Sequence, residues 1–123
     1  MKKTPTDIKL HKKSKSLELT FADGQFELRA EYLRVHSPSA EVRGHGVGQE
    51  TLQTNKKFVG IDNIELVGNY ALKISFDDGH DSGLFTWDYL YELSHQHDEY
   101  WASYLDKLAQ AGQSRDAGLI GLG

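Results

Sequence analysis

The sequence predicts an α+β domain: a mostly antiparallel sheet built from two related hairpin units, with C-terminal helices packed on one face. Two observations carry this. Apolar residues alternate with polar ones through the first part of the chain, the pattern of half-buried strands, and helical spacing takes over only after Phe85. Strands and helices therefore segregate along the chain, which argues against a doubly wound parallel sheet.

Leu17, Leu19 and Phe21 alternate with polar residues, Asp23-Gly24 supplies a turn, and Phe26 and Leu28 resume the alternation. That is a hairpin with one apolar face. Leu72, Ile74 and Phe76 repeat the spacing before Asp78-Gly79, and an aromatic-leucine pair follows each unit, Tyr32-Leu33 and Tyr89-Leu90. The two stretches read as a weak internal repeat facing a common core. Between them, Phe58-Val59-Gly60-Ile61 and Ile64-Glu65-Leu66 read as strands, and Gly68-Asn69 turns the chain into Tyr70 to Phe76. Thr86 is placed to cap a helix bearing Trp87, Leu90 and Leu93. Trp101, Tyr104, Leu105 and Leu108 continue helical spacing to a stop at Gly112. A break over Ser94 to Asp98 divides this region into two helices, with Asp98 capping the second.

A chain of 123 residues with 38% hydrophobic content supports one domain with a real core. The absence of cysteine excludes disulfides, thiolate metal sites and cysteine nucleophiles. A net charge of -4 argues against duplex binding by phosphate neutralisation. The lysines Lys2, Lys3, Lys9, Lys12, Lys13 and Lys15 crowd the start, so residues 1–14 read as a basic arm, 15–111 as the domain and 112–123 as a flexible tail. Met1-Lys2-Lys3 begins as a signal peptide does, but Thr4-Pro5-Thr6-Asp7 stands where an apolar run would be needed; a cytoplasmic protein is expected.

The stretch from Leu33 to Gly46 has neither periodicity, yet it carries His36, Ser37, Ser39, Glu41, Arg43 and His45. Ordered polar loops of this kind point to recognition or to a site. Leu33-Arg34 with Ser37-Pro38-Ser39-Ala40-Glu41-Val42-Arg43-Gly44-His45-Gly46, followed by Phe76-Asp77-Asp78-Gly79-His80-Asp81-Ser82-Gly83-Leu84-Phe85-Thr86-Trp87 and Tyr89-Leu90, resembles the gamma-butyrobetaine hydroxylase-like N-terminal domain family. The resemblance runs from about Leu17 to about Leu108. It implies a compact α+β domain that occurs alone as a bacterial domain of unknown function, at the N-terminus of hydroxylases, and fused to Mrp-type ATPases that handle iron–sulfur clusters. In the hydroxylases the module resembles a zinc-binding unit. The matching positions here are Ser37, Ser39, Val42 and His80, of which only the histidine is a zinc ligand, so that zinc site is expected to be degenerate.

Two readings of the histidines stand beside the resemblance. His36, His45 and His80 converge on a divalent metal with Glu41 or Asp81, or His80 ties the loop to the second hairpin by hydrogen bonds to Ser37 or Ser39. The second is preferred. Arg34, Glu41 and Arg43 are either a loop-fixing ion pair or the exposed chemistry of a partner surface. Gly44-x-Gly46-x-Gly48 has the wrong spacing for a phosphate loop, and His97-x-Glu99 lacks the barrel that an iron triad requires. No Ser/His/Asp set has distinctive flanks. Trp87, Tyr89, Tyr91, Tyr100, Trp101 and Tyr104 divide between core and interface, with a homodimer as one use of the surplus.

The expectation is a non-enzymatic, cofactor-free accessory domain that binds a protein partner. Arg34, His36, Ser37, Ser39, Glu41, Arg43, His45, His80, Asp81 and Trp87 are the candidate contact residues. By the family's fusions, the partner is an Mrp-type ATPase or an iron–sulfur assembly protein. The alternative is a metal- or small-ligand-binding regulator using His36, His45 and His80.

Overall fold

A computed structural model describes residues 3–43 and 50–116. The elements run β1 (Asp7–His11), β2 (Ser16–Phe21), β3 (Gly24–Arg29), α1 (Ala30–Val35), α2 (Ala40–Arg43), β4 (Ile61–Val67), β5 (Ala71–Phe76), β6 (Leu84–Thr86), α3 (Trp87–His95) and α4 (His97–Gln110). They form two three-stranded antiparallel meanders, β1-β2-β3 and β4-β5-β6, in an α+β architecture.

The central strands β2 and β5 share one inside–outside pattern. Leu17, Leu19, Phe21, Leu72, Ile74 and Phe76 are all buried, and they join Leu28, Phe85, Leu33, Leu90 and Leu93 in one core fed by both sheets. The strand alternation read from the sequence thus specifies the register, because a one-residue slip would turn these side chains to solvent. Leu17 pairs with Leu28, and Leu72 with Phe85. A second, smaller cluster of Val35, Tyr104 and Leu108 seats α4.

Helix ends follow local chemistry. The Thr86 hydroxyl accepts the Tyr89 N–H at 3.2 Å, capping α3. At the end of α4, Gly112 adopts φ +65°; its N–H reaches Ala109 O at 3.1 Å and that of Gln113 reaches Leu108 O at 2.9 Å. This pair of bonds is a Schellman closure, which favours glycine because a Cβ is strained there.

The structure corrects four expectations. Residues 7–11, read within a basic arm, form β1 and pair with β2 from Asp7↔Thr20 to His11↔Ser16; Ile8 and Leu10 lean on the core while lysines guard the edge. Phe58, Val59 and Gly60 lie outside any strand, with Phe58 63% exposed; of that stretch only Ile61 is in a strand, which runs on through Ile64-Glu65-Leu66 as β4, with an irregularity between Ile61 and Asn63. Gly24 opens β3 opposite Phe21, so Ala22-Asp23 is the loop. Asp98 does not cap α4: the cap position is Gln96, without a side-chain bond, and Asp98 sits in the first turn.

Candidate functional site

The polar connector between α1 and α2 is tied to the turn after β5. Gly79, at φ +90°, closes that turn with its N–H on Phe76 O at 3.1 Å. The turn carries His80 beneath the connector, where Ser37 Oγ lies 2.8 Å and Ser39 Oγ 3.3 Å from Nε2. Glu41 Oε2 stands 3.3 Å from Nδ1 on the other side of the ring. A carboxylate only accepts, so Nδ1 carries the proton toward Glu41 and Nε2 accepts from the Ser37 hydroxyl. Burial pushes the His80 pKa below 6.5, reinforced by the Arg34 charge, with Glu41 and Asp78 opposing. The ring is therefore neutral at pH 7.

A second tie runs beside the first. Arg34 donates from Nε to Asp78 Oδ2 at 2.9 Å and from Nη1 to Gln53 Oε1 at 3.0 Å; Lys56 Nζ reaches the same carboxylate oxygen at 3.0 Å. The His80 N–H donates to Asp78 Oδ1 at 3.2 Å. Desolvation pushes the Asp78 carboxyl up, but Lys56, the His80 N–H and Arg34 together outweigh it and hold the pKa below 3.8. Gly83 completes the seat: a Cβ there would collide with Ser37 Oγ and press on Pro38 and the Ser39 amide, so only glycine lets the strand entering β6 pass so close.

These positions separate the candidate contact residues. Ser37, Ser39, His80 and Arg34 are buried at 1%, 5%, 7% and 7% exposure, so they are tethers and not contact surface. Trp87 is also removed from the surface: it packs in the core, its indole N–H on Asn69 O at 2.8 Å. Glu41, Arg43 and Asp81 are exposed. Of the two readings for Arg34, Glu41 and Arg43, Arg34 takes the loop-fixing role, through Asp78, and Arg43 stays outside with its guanidinium 4.8 Å above the Tyr89 ring. His36 is half-buried. Its Nδ1–H donates to Tyr32 O at 2.9 Å, its ring stacks near Tyr100, and burial lowers its pKa below 6.5. His45 and Gly44-x-Gly46-x-Gly48 lie outside the described residues.

The chemistry open to this arrangement is narrow. Among the described residues no three His, Asp or Glu side chains are grouped to hold a metal ion. Two hydroxyls, the aliphatic Val42 and an imidazole whose Nε2 already faces Ser37 are not a zinc donor set, so the zinc that the hydroxylase resemblance implies does not fit these residues. Glu41, His80 and Ser37 do form a carboxylate–imidazole–hydroxyl chain; sequence reasoning set Glu41 and Ser37 beside His80 in separate readings and did not join them on the two nitrogens of one ring. The hydroxyl is shut behind Gly83 and Pro38, leaving no room for a substrate carbonyl. His97 Nδ1 lies 3.0 Å from Asp98, and its ring stands 4.5 Å from that of Tyr32.

Beside the connector, an open groove of about 700 Å³ is walled by Val42, Arg43, Leu52, Tyr89, Tyr100 and Lys107. The Tyr89 hydroxyl donates to His36 O and the Tyr104 hydroxyl to Gln53 O, fixing its floor. Burial raises the Tyr89 pKa, with Arg43 opposing, and raises that of Tyr104 to about 12.

Comparison with known proteins decides the family. The model of the gamma-butyrobetaine hydroxylase-like N-terminal domain matches residues 8–91. The chain belongs to this family. A solution structure determined by NMR is similar at 59% identity and TM-score 0.82, over 92% of this chain and 90% of its own. A second NMR structure shares 50% identity at TM-score 0.77, over 91% and 84%. A crystal structure of a DUF971 family protein of unknown function from Acidithiobacillus ferrooxidans shares 34% identity at TM-score 0.63, over 75% of this chain and 93% of that one. No curated protein matches. Membership in a domain family of unknown function agrees with the resemblance read from the sequence. Among the described residues no helix is long and apolar enough to cross a membrane.

Proposed function

We propose that this domain is a non-enzymatic accessory module that docks on an Mrp-type ATPase of iron–sulfur assembly through the outer side of the tethered connector. The observation that carries the reading is the division of the connector. Its inner side chains are spent on His80 and Asp78, while Arg43 stands exposed over Tyr89 at the rim of the groove. A surface held in one shape before contact loses little ordering entropy on binding. The partner's identity rests on the family's fusions, an argument by association. By the resemblance, Ser37, Ser39 and His80 match positions of the hydroxylases' zinc-binding unit, and in this reading their hydrogen bonds take the ion's place. Within this reading the groove beside Arg43 and Lys107 takes an acidic, partly apolar segment of the ATPase.

Calorimetric titration of the purified protein with the ATPase tests this. Saturable binding that weakens roughly tenfold or more in Arg43→Ala, with the melting temperature unchanged, is the expected result. No binding by the wild-type chain, or equal binding by the variant, would overturn it.

A further inference from the structure

On a different part of the molecule from the connector, a cavity of about 380 Å³ opens between the β1–β2 turn, the end of β3, the segment before β4, and α4 with the residues after it. Its walls bring together Lys15, Arg29, Lys57 and Arg115 against a single carboxylate, Glu31. That surplus of three positive charges occurs on a chain whose net charge is -4. Glu31 is fully engaged: it is 1% exposed and takes both Arg115 donors, at 2.8 and 2.7 Å. Lys15 donates to Phe58 O at 2.9 Å. Among the described residues no carboxylate lies within ion-pair distance of Lys15, Arg29 or Lys57, and the remaining residues include no Asp or Glu. Three cations beyond the Arg115–Glu31 pair thus line one concave surface, where field lines concentrate.

The rest of the cavity is aromatic. Trp101 and Tyr32 line it, and Phe58 stands at the mouth, 63% exposed, with the Lys15 and Lys57 ammonium groups 5.9 and 5.5 Å from its ring centroid. The Arg115 guanidinium lies 5.1 Å over Trp101, so its bond to Glu31 also orders that wall. Backbone strain gathers here as well. Lys15 at φ +56° and Asn55 at φ +61° are the two non-glycine residues with positive φ among those described. The first carries a cation of the cavity, and the second holds the Lys57 segment through its N–H on Ser114 O at 3.2 Å. Strain of this kind persists where surrounding structure imposes it, and it collects at binding sites.

We propose that this cavity binds a mononucleotide-sized organic phosphate, with the phosphate on Lys15, Arg29 and Lys57 and the planar base against Phe58 and Trp101. Cations supply charge-assisted bonds to phosphate oxygens, and the exposed ring supplies a stacking face that any base can use. The volume admits one nucleotide and not a longer strand.

Titration with ADP and, separately, with inorganic pyrophosphate at low ionic strength, followed by calorimetry and by NMR, tests the assignment. ADP should shift the Trp101 indole signal and the amides of residues 15, 29 and 57. Arg29→Gln and Lys57→Gln, both away from the core, should each weaken binding roughly tenfold. Phe58→Ala should weaken ADP and leave pyrophosphate unchanged. Arg43→Ala should leave ADP binding intact, which separates this site from the docking surface. The proposal is overturned by no response at millimolar ADP, by undiminished binding in the Gln variants, or by pyrophosphate matching ADP with Phe58→Ala inert.

Discussion

His80 is buried to 7% exposure, and both nitrogens of its ring face polar partners. Removing it strands two hydroxyls that are buried beside it, a loss in the range of about 1–3 kcal/mol. His80→Ala should therefore lower Tm by several degrees in a thermal melt. An unchanged melting curve would contradict the tether. Gly83 makes the complementary case through sterics. Gly83→Ala has to push Ser37 and Pro38 off their seat and should cost about 1–3 kcal/mol by chemical denaturation. The pairing of His80 with the serines was legible from residue chemistry, since a buried imidazole near two hydroxyls needs partners. For its other neighbour the sequence left Glu41 and Asp81 open, because nothing local decides which of two exposed acids reaches the ring.

Among the elements, the β2–β3 hairpin, β5, the N-cap of α3 and the end of α4 were readable because their signals are local: alternation, a threonine before Trp87, a glycine after α4. What escaped the sequence reading is long-range. β1 carries only two apolar residues, Ile8 and Leu10, among lysines, and its strand character comes from pairing with β2. The residues after α4, read as a loose tail, are held as far as Arg115 by its fork on Glu31, 84 residues away in sequence, and by Lys57 N–H on Arg115 O at 3.1 Å. No periodicity encodes such a pair. Arg115→Ala leaves the Glu31 carboxylate buried and alone, so a destabilisation of about 3 kcal/mol is expected in urea unfolding. A loss below about 0.5 kcal/mol would mean that the carboxylate finds water or another partner.

For the molecule as a whole, two histidines couple stability to pH in the same direction. His36 and His80 both titrate below 6.5 in the fold because burial disfavours their charged forms. Between those lowered values and 6.5 the unfolded chain binds more protons than the folded one. Their contribution is thus complete above about pH 6.5 and is lost as pH falls through the folded pKa values. A further loss follows below pH 3.8 as Asp78 takes a proton and releases Arg34 and Lys56. Melting temperature followed from pH 8 to pH 3 should fall in two stages, and His80→Asn should blunt the first. The same neutral imidazole holds the connector in shape, and the proposed docking surface depends on that shape.

The most direct measurement is the nitrogen NMR signature of the His80 ring at pH 7, with and without a chelator. A neutral ring protonated at Nδ1, with Nε2 accepting a hydrogen bond and both signals indifferent to the chelator, is the expected result. A ring averaging between tautomers, or signals that move when metal is removed, would contradict the idea that hydrogen bonds alone pin the connector.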